Sequence, residues 1–209
     1  MLTLAITTST SIVGVALGGA LRQVTTDRRH AEELPLLIQQ VAEQESVAVS
    51  DIERLVVDIG PGRFTGLRVG LAMVKGLALA TGADVVGLTS LEILAAGHPG
   101  RPVAAVIDAR RGEVFQQVFD SEGAVGDAIV GDPAVLGPQL AGIAGIGDGA
   151  DRYRACYGAE PAAHLDGAVP SAAAMLALAD GRQSVSGEQI APVYLRDPDV
   201  TVNIKTRGG

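Results

Sequence analysis

The sequence predicts an α/β fold: a mixed sheet carrying helices, followed by a second and shorter half. Three observations carry that expectation. Runs of Val, Ile, Leu and Thr with strand character alternate with segments of helical period. The first strands are joined by tight turns and the later ones by crossovers long enough to hold a helix, which gives an order of βββαβαβα. Hydrophobic residues make up 47% of the 209 and charged residues 19%, so a core is easily filled. Aromatics are only 3% and Trp is absent, so that core is aliphatic, packed against glycine-rich turns.

In chain order, residues 2–7, 12–18 and 21–26 read as short strands separated by turns at 8–11 and 18–20. Residues 31–44 read as a helix, with Ala31, Leu34, Leu37, Ile38, Val41 and Ala42 on its core face. A buried strand at 55–59, a helix at 65–80 and a strand at 84–88 follow. Thr89-Ser90-Leu91-Glu92 has the spacing of a capping box and opens a short helix to about residue 96. Gly97-His98-Pro99-Gly100 punctuates the middle of the chain, which suggests domains at 1–98 and 99–209. Beyond it, strands at 103–108 and 113–119 flank the turn Ala109-Arg110-Arg111-Gly112. Asp132-Pro133 has the character of a helix cap and first helical residue, 143–146 reads as a strand, and Pro170-Ser171 opens an alanine-rich helix to about 179. The tail at 205–209 is polar and reads as disordered.

Between the strand at 55–59 and the next helix stands Gly60-Pro61-Gly62-Arg63-Phe64-Thr65-Gly66-Leu67-Arg68-Val69-Gly70. Glycines at such a junction permit positive φ or close approach of another group. The spacings of a phosphate loop and of a dinucleotide fingerprint are both absent. The string instead resembles the signature of the TsaB (YeaZ) family, in which Ser usually stands at the place of Arg63. Asp108-Ala109-Arg110-Arg111-Gly112-Glu113-Val114-Phe115, Gly147-Asp148-Gly149-Ala150 and Tyr194-Leu195-Arg196 resemble segments of the same family in the same order.

The resemblance implies an actin-like ATPase/sugar-kinase fold of two ribonuclease-H-like halves, the second one reduced. It also implies a role: a non-catalytic subunit that binds and stabilises TsaD, the catalytic subunit that threonylcarbamoylates the tRNA adenosine beside the anticodon. A TsaE-like ATPase is implied as a further partner, and a homodimer when the chain is alone. No cofactor is expected on this chain by itself, with ATP or ADP entering at the level of the complex. The alternatives are a nucleotide-binding kinase or ATPase of the same fold, degenerate or active, or a (glyco)peptidase.

The residues themselves argue against chemistry. Relatives commonly carry Asp where this chain has Thr7, and a hydroxyl does not supply the anionic charge Mg²⁺ favours. Thr8, Ser9 and Thr10 are either a leftover phosphate loop or, the reading favoured here, a hydrated turn held by its own hydroxyls. TsaD has a metal-binding His-x-x-x-His pair; here His30 is followed four residues on by Leu34. Cys156 is the one cysteine, which excludes an internal disulfide and reads as filler. Arg110 and Arg111 are a solvated turn or a phosphate contact, and Arg63 has no partner legible in the sequence. A net charge of −8 and few aromatics speak against autonomous tRNA binding. Nothing near residue 1 resembles a signal peptide and no uncharged run approaches a membrane span, so the cytoplasm is expected and no membrane contact.

Two helices point to an interface. On a wheel, residues 66–80 are apolar all round except for Arg68 and Lys75, so the helix needs cover on more than one side. One stripe is Gly66, Gly70, Met73, Leu77 and Ala80; another is Leu67, Leu71, Val74 and Ala78. Leu36 falls on the polar side of the preceding helix. The candidate partner-contacting residues are therefore Leu36, Gly66, Gly70, Met73 and Leu77, with Arg68 and Lys75 as charged contacts. The alternative is burial of the helix under the second half of the chain.

Overall fold

The computed structural model describes residues 1–98, 100–140, 142–157 and 169–196. Strands β1 (Thr3–Thr7), β2 (Ile12–Leu17) and β3 (Ala20–Thr25) form an antiparallel meander. Strands β4 (Arg54–Asp58) and β5 (Asp84–Leu88) then add in parallel beyond β1, giving the order β3-β2-β1-β4-β5. The parallel additions need crossovers, and these are helices α1 (His30–Glu45) and α2 (Phe64–Thr81).

Side chains alternate across the sheet, so each strand feeds two cores. Leu4, Ile6, Val13, Val15, Leu55 and Val57 pack beneath α1 and α2. Ala5, Ala16, Val56 and Val86 face the other way.

The second sheet repeats the plan with one strand fewer. β6 (Val103–Arg110), β7 (Glu113–Phe119) and β8 (Ala124–Gly131) are antiparallel, β9 (Ala144–Ile146) lies parallel to β6, and the order is β8-β7-β6-β9. This is the duplicated ribonuclease-H-like layout with a reduced second half. β8 carries no clean alternation and escapes the sequence reading; most of it is exposed at the sheet edge.

The helices do not respect the midpoint of the chain. Helix α3 (Ser90–Ala96), capped by Thr89, which accepts a bond from the Glu92 amide, puts Leu91, Leu94 and Ala95 into the core of the second sheet. Helices α4 (Pro133–Leu136) and α5 (Asp148–Arg152) cover that sheet's other face through Leu136 and Ala150. Helix α6 (Ala172–Leu178) crosses back, and Ala172, Met175 and Ala179 pack on Ala5, Ala16 and Val56 of the first sheet. Val185 then pairs with Val85, and Ile190 is buried in the first core. A division at residue 98 separates the two sheets, but not their cores. The tail at 205–209 lies outside the described residues.

Candidate functional site

The glycine turn after β4 seats α2 on the loop between β1 and β2. Gly60 has φ 98°, a conformation that favours glycine. The Arg63 amide donates to the Ser9 carbonyl at 2.7 Å, and the Thr8 hydroxyl donates to the Gly66 carbonyl at 2.9 Å. A Cβ on Gly62 would collide with the Ser9 backbone, on Gly66 with the Thr8 carbonyl oxygen, and on Gly70 with the Thr8 hydroxyl. The expectation that Gly66 and Gly70 meet a partner helix is thus corrected. Both are buried, and the close approach they permit is internal.

The turn expected to be hydrated is buried as well. Thr7, Thr8, Ser9 and Thr10 are all at most 3% exposed. Their cover includes a residue not singled out in the sequence: Asp58, at the end of β4 and 0% exposed. The Thr7 and Ser9 hydroxyls donate to Asp58 Oδ2 at 2.7 and 2.5 Å. The Ser90 hydroxyl and the Gly60 amide donate to Oδ1 at 2.5 and 3.0 Å. Burial pushes the Asp58 carboxyl above its ordinary range, against the pull of those four donors. Two of the hydroxyls that would cradle an anion are therefore already given to an internal carboxylate. The only sequence signal was an acid closing the apolar run 55–57.

His30 opens α1 and is buried, with Nε2 3.0 Å from the Thr10 carbonyl oxygen. Leu34, one turn on, is 0% exposed in the core. Among the described residues no three of His, Cys, Asp and Glu converge as a metal site. Cys156 is a partly buried free thiol.

The outer face of α2 is open. Leu67, Leu71, Val74 and Ala78 turn inward. Val69, Ala72, Met73, Gly76 and Leu77, with Ala31 of α1, line an apolar surface groove of about 430 Å³. Leu79 is 87% exposed beyond it. Met73 and Leu77 thus lie on this open face, beside residues the stripe reading omitted. Ala31, expected in the core, is exposed. Leu36 is exposed at 51%, yet it sits about 140° around α1 from Ala31 by helical geometry, away from the groove. Arg68 lies over the Phe64 ring at 3.8 Å, and the Lys75 ammonium donates to the Glu188 carbonyl at 3.4 Å. By length and composition alone α2 suffices to cross a membrane, with a mean hydropathy of 1.3. Its inner face is instead packed on the first sheet.

A second depression, of about 390 Å³, lies between the sheets, where the starts of α1 and α2 meet the β6–β7 turn and residues 193–196. Arg63 finds its partner here: its Nη1 is 2.6 Å from Asp27 Oδ1, and that bond holds the Asp27 carboxyl below its usual range. Arg110 and Arg111 have φ 65° and 56°, a conformation costing a non-glycine residue about 1 kcal/mol or more each. Asp108 steadies the turn by accepting from the Arg110 amide at 2.9 Å. Arg196 donates to Glu113 at 2.7 Å and to the Ala109 carbonyl at 3.0 Å.

The family model of TsaD, tRNA N6-adenosine threonylcarbamoyltransferase, matches residues 7–152. The tRNA threonylcarbamoyladenosine biosynthesis protein TsaB of Escherichia coli K12 is 28% identical over 191 residues, spanning 81% of this chain and 82% of its own. Two solved structures from Pseudomonas aeruginosa are 31% identical and match 93% of this chain. YeaZ has a TM-score of 0.82 and is matched over 100% of its chain. An uncharacterised protein with similarity to peptidase YeaZ has a TM-score of 0.83 and is matched over 99%.

Proposed function

The chain belongs to the TsaB (YeaZ) family, and from that membership we propose that it is a non-catalytic scaffold subunit that binds and stabilises a TsaD-like catalytic subunit. Membership places it in tRNA threonylcarbamoyladenosine biosynthesis. The observation that carries the scaffold reading is the unpartnered apolar face of α2. A continuous groove with Leu79 standing 87% exposed at its end is the kind of surface a protein partner covers. Glycine and alanine at Gly76 and Ala72 let a facing helix come close. Used by two copies, the same face gives a homodimer when the chain is alone.

Internal bonding of the hydroxyl turn favours a subunit without its own phosphate chemistry. Thr8 is spent on Gly66, and Thr7 and Ser9 on Asp58. A peptidase needs a nucleophile beside a base, and Ser9 and Ser90 are instead buried against that same carboxyl. ATP or ADP, and a TsaE-like ATPase, then belong to the assembled complex, in the cytoplasm.

Light scattering of the chain mixed with its host's TsaD tests the reading. A 1:1 complex is expected. Ala72→Asp would bury an unpaired charge and weaken it by about a hundredfold or more, with an unchanged thermal melt because Ala72 is exposed in the monomer. Met73→Asp should weaken it likewise, with a lowered melt as well, because Met73 also packs against the first core. Intact binding by both variants, or no association of the native chains, would overturn the proposal.

A further inference from the structure

The cleft between the sheets concentrates what the rest of the chain lacks. Arg28, Arg63, Arg110, Arg111 and Arg196 line it, five of the chain's 16 Lys and Arg, against Asp27 and Asp108. Glu113 joins those acids by pairing with Arg196, and the cations still lead in a chain of net charge −8. Phe64, Phe115 and Tyr194 line it too, half of the chain's three Phe and three Tyr. The Phe64 and Tyr194 rings pack with centroids 5.3 Å apart, and Tyr194 remains 41% exposed. Guanidinium groups around an exposed ring are the chemistry that holds a phosphodiester and stacks a base.

We propose that this cleft receives one nucleotide of a single-stranded RNA segment, its phosphate against Arg110 and Arg196 and its base on Tyr194. The proposal rests on the scaffold reading, because the net charge of the isolated chain opposes RNA and an assembled complex supplies the rest of the contact. The guanidinium groups are already oriented. Arg196 spends one nitrogen on Glu113 and another on the Ala109 carbonyl, which fixes its plane. Arg110, left-handed in its backbone, is steered by Asp108, whose Oδ2 lies 3.6 Å from Nη1, and its side chain stays 52% exposed with further N–H groups to give. A free polyphosphate is the poorer fit, because the Thr8–Ser9–Thr10 turn that would grip it is closed inside the fold and does not line the cleft.

The test uses the chain in complex with TsaD and a fluorescein-labelled anticodon stem-loop RNA, read by anisotropy across a salt series. Arg110→Gln and Tyr194→Ala are compared with Arg22→Gln, an exposed control on edge strand β3. Each cleft variant should weaken RNA binding about tenfold, and Arg110→Gln should lower the salt slope by about one. Complex formation by light scattering should stay unchanged. RNA affinity within twofold of native for both cleft variants would overturn the proposal. So would displacement of the RNA by AMP or ATP with loss of mononucleotide binding in the same variants, which would assign the cleft to a free nucleotide. Failure of the two native chains to associate is a separate result: it sinks the scaffold reading, and with it the assembled contact.

Discussion

Four donors converge on Asp58: the hydroxyls of Thr7, Ser9 and Ser90 and the amide of Gly60. Asp58→Ala would leave all of them buried without an acceptor. At about 1–3 kcal/mol per orphaned group, with some relaxation, the loss should reach about 4 kcal/mol in urea unfolding. A loss below about 1 kcal/mol would mean that the loop re-pairs with itself. The proton on Asp58 gives a second readout. Burial raises the folded carboxyl above the 3.8 of the unfolded chain. The folded state then binds the proton more tightly, so this contribution is whole below about pH 3.8 and is lost as pH rises through the folded value. Native stability minus that of Asp58→Asn should therefore decline from pH 4 toward neutrality, and a rising difference would contradict the assignment. None of this cluster was legible beforehand. Its members stand at 7, 9, 58, 60 and 90, and only the fold brings them together. Single residues with local signals were legible: Thr89 and Asp132 cap their helices as their spacing indicates.

Helix α2 shows where periodicity stops informing. Its wheel correctly gives a cylinder apolar on more than one side. It does not say that the N-terminal and C-terminal halves of one stripe face different neighbours. Gly66 and Gly70 lie within reach of the β1–β2 loop and are sealed by Thr8. Met73 and Leu77, one and two turns further, have passed that loop and lie at the open groove. Two alanine substitutions separate the roles. At Gly66 a Cβ meets backbone, so Gly66→Ala should cost about 1–3 kcal/mol by forcing the helix off the loop. At Gly76 no atom lies within 4 Å, so Gly76→Ala should stabilise by about 0.8–1 kcal/mol through helix propensity alone. Thermal melts of the two variants shifting in the same direction would contradict this division of the helix.

The duplicated plan is visible in strand order and invisible in sequence. β3-β2-β1-β4 and β8-β7-β6-β9 share every antiparallel and parallel pairing. The sequence offers no internal repeat, because a sheet of this kind asks only for alternation and many side chains satisfy it. The same permissiveness hid β8, an edge strand that touches the second core only through the partly buried Ala128 and Val130, too few to enforce a pattern. The midpoint of the chain divides the two sheets without dividing their cores. The cores are interleaved: α3, encoded before residue 98, fills the second core, and α6, encoded far beyond it, seals the outer face of the first sheet. A fragment of residues 1–98 would expose Ala5, Ala16, Val56 and Val86 where α6 belongs, and would leave Leu91 and Leu94 of α3 without a sheet. Such a fragment should lack dispersed amide resonances. The intact chain should unfold in one transition, coincident by far-UV dichroism and by Tyr fluorescence, since Tyr153 and Tyr157 report on the second core and Tyr194 on the cleft. Two separable transitions, or a folded 1–98 fragment, would show that the halves are held apart by their sheets rather than joined by the helices they exchange.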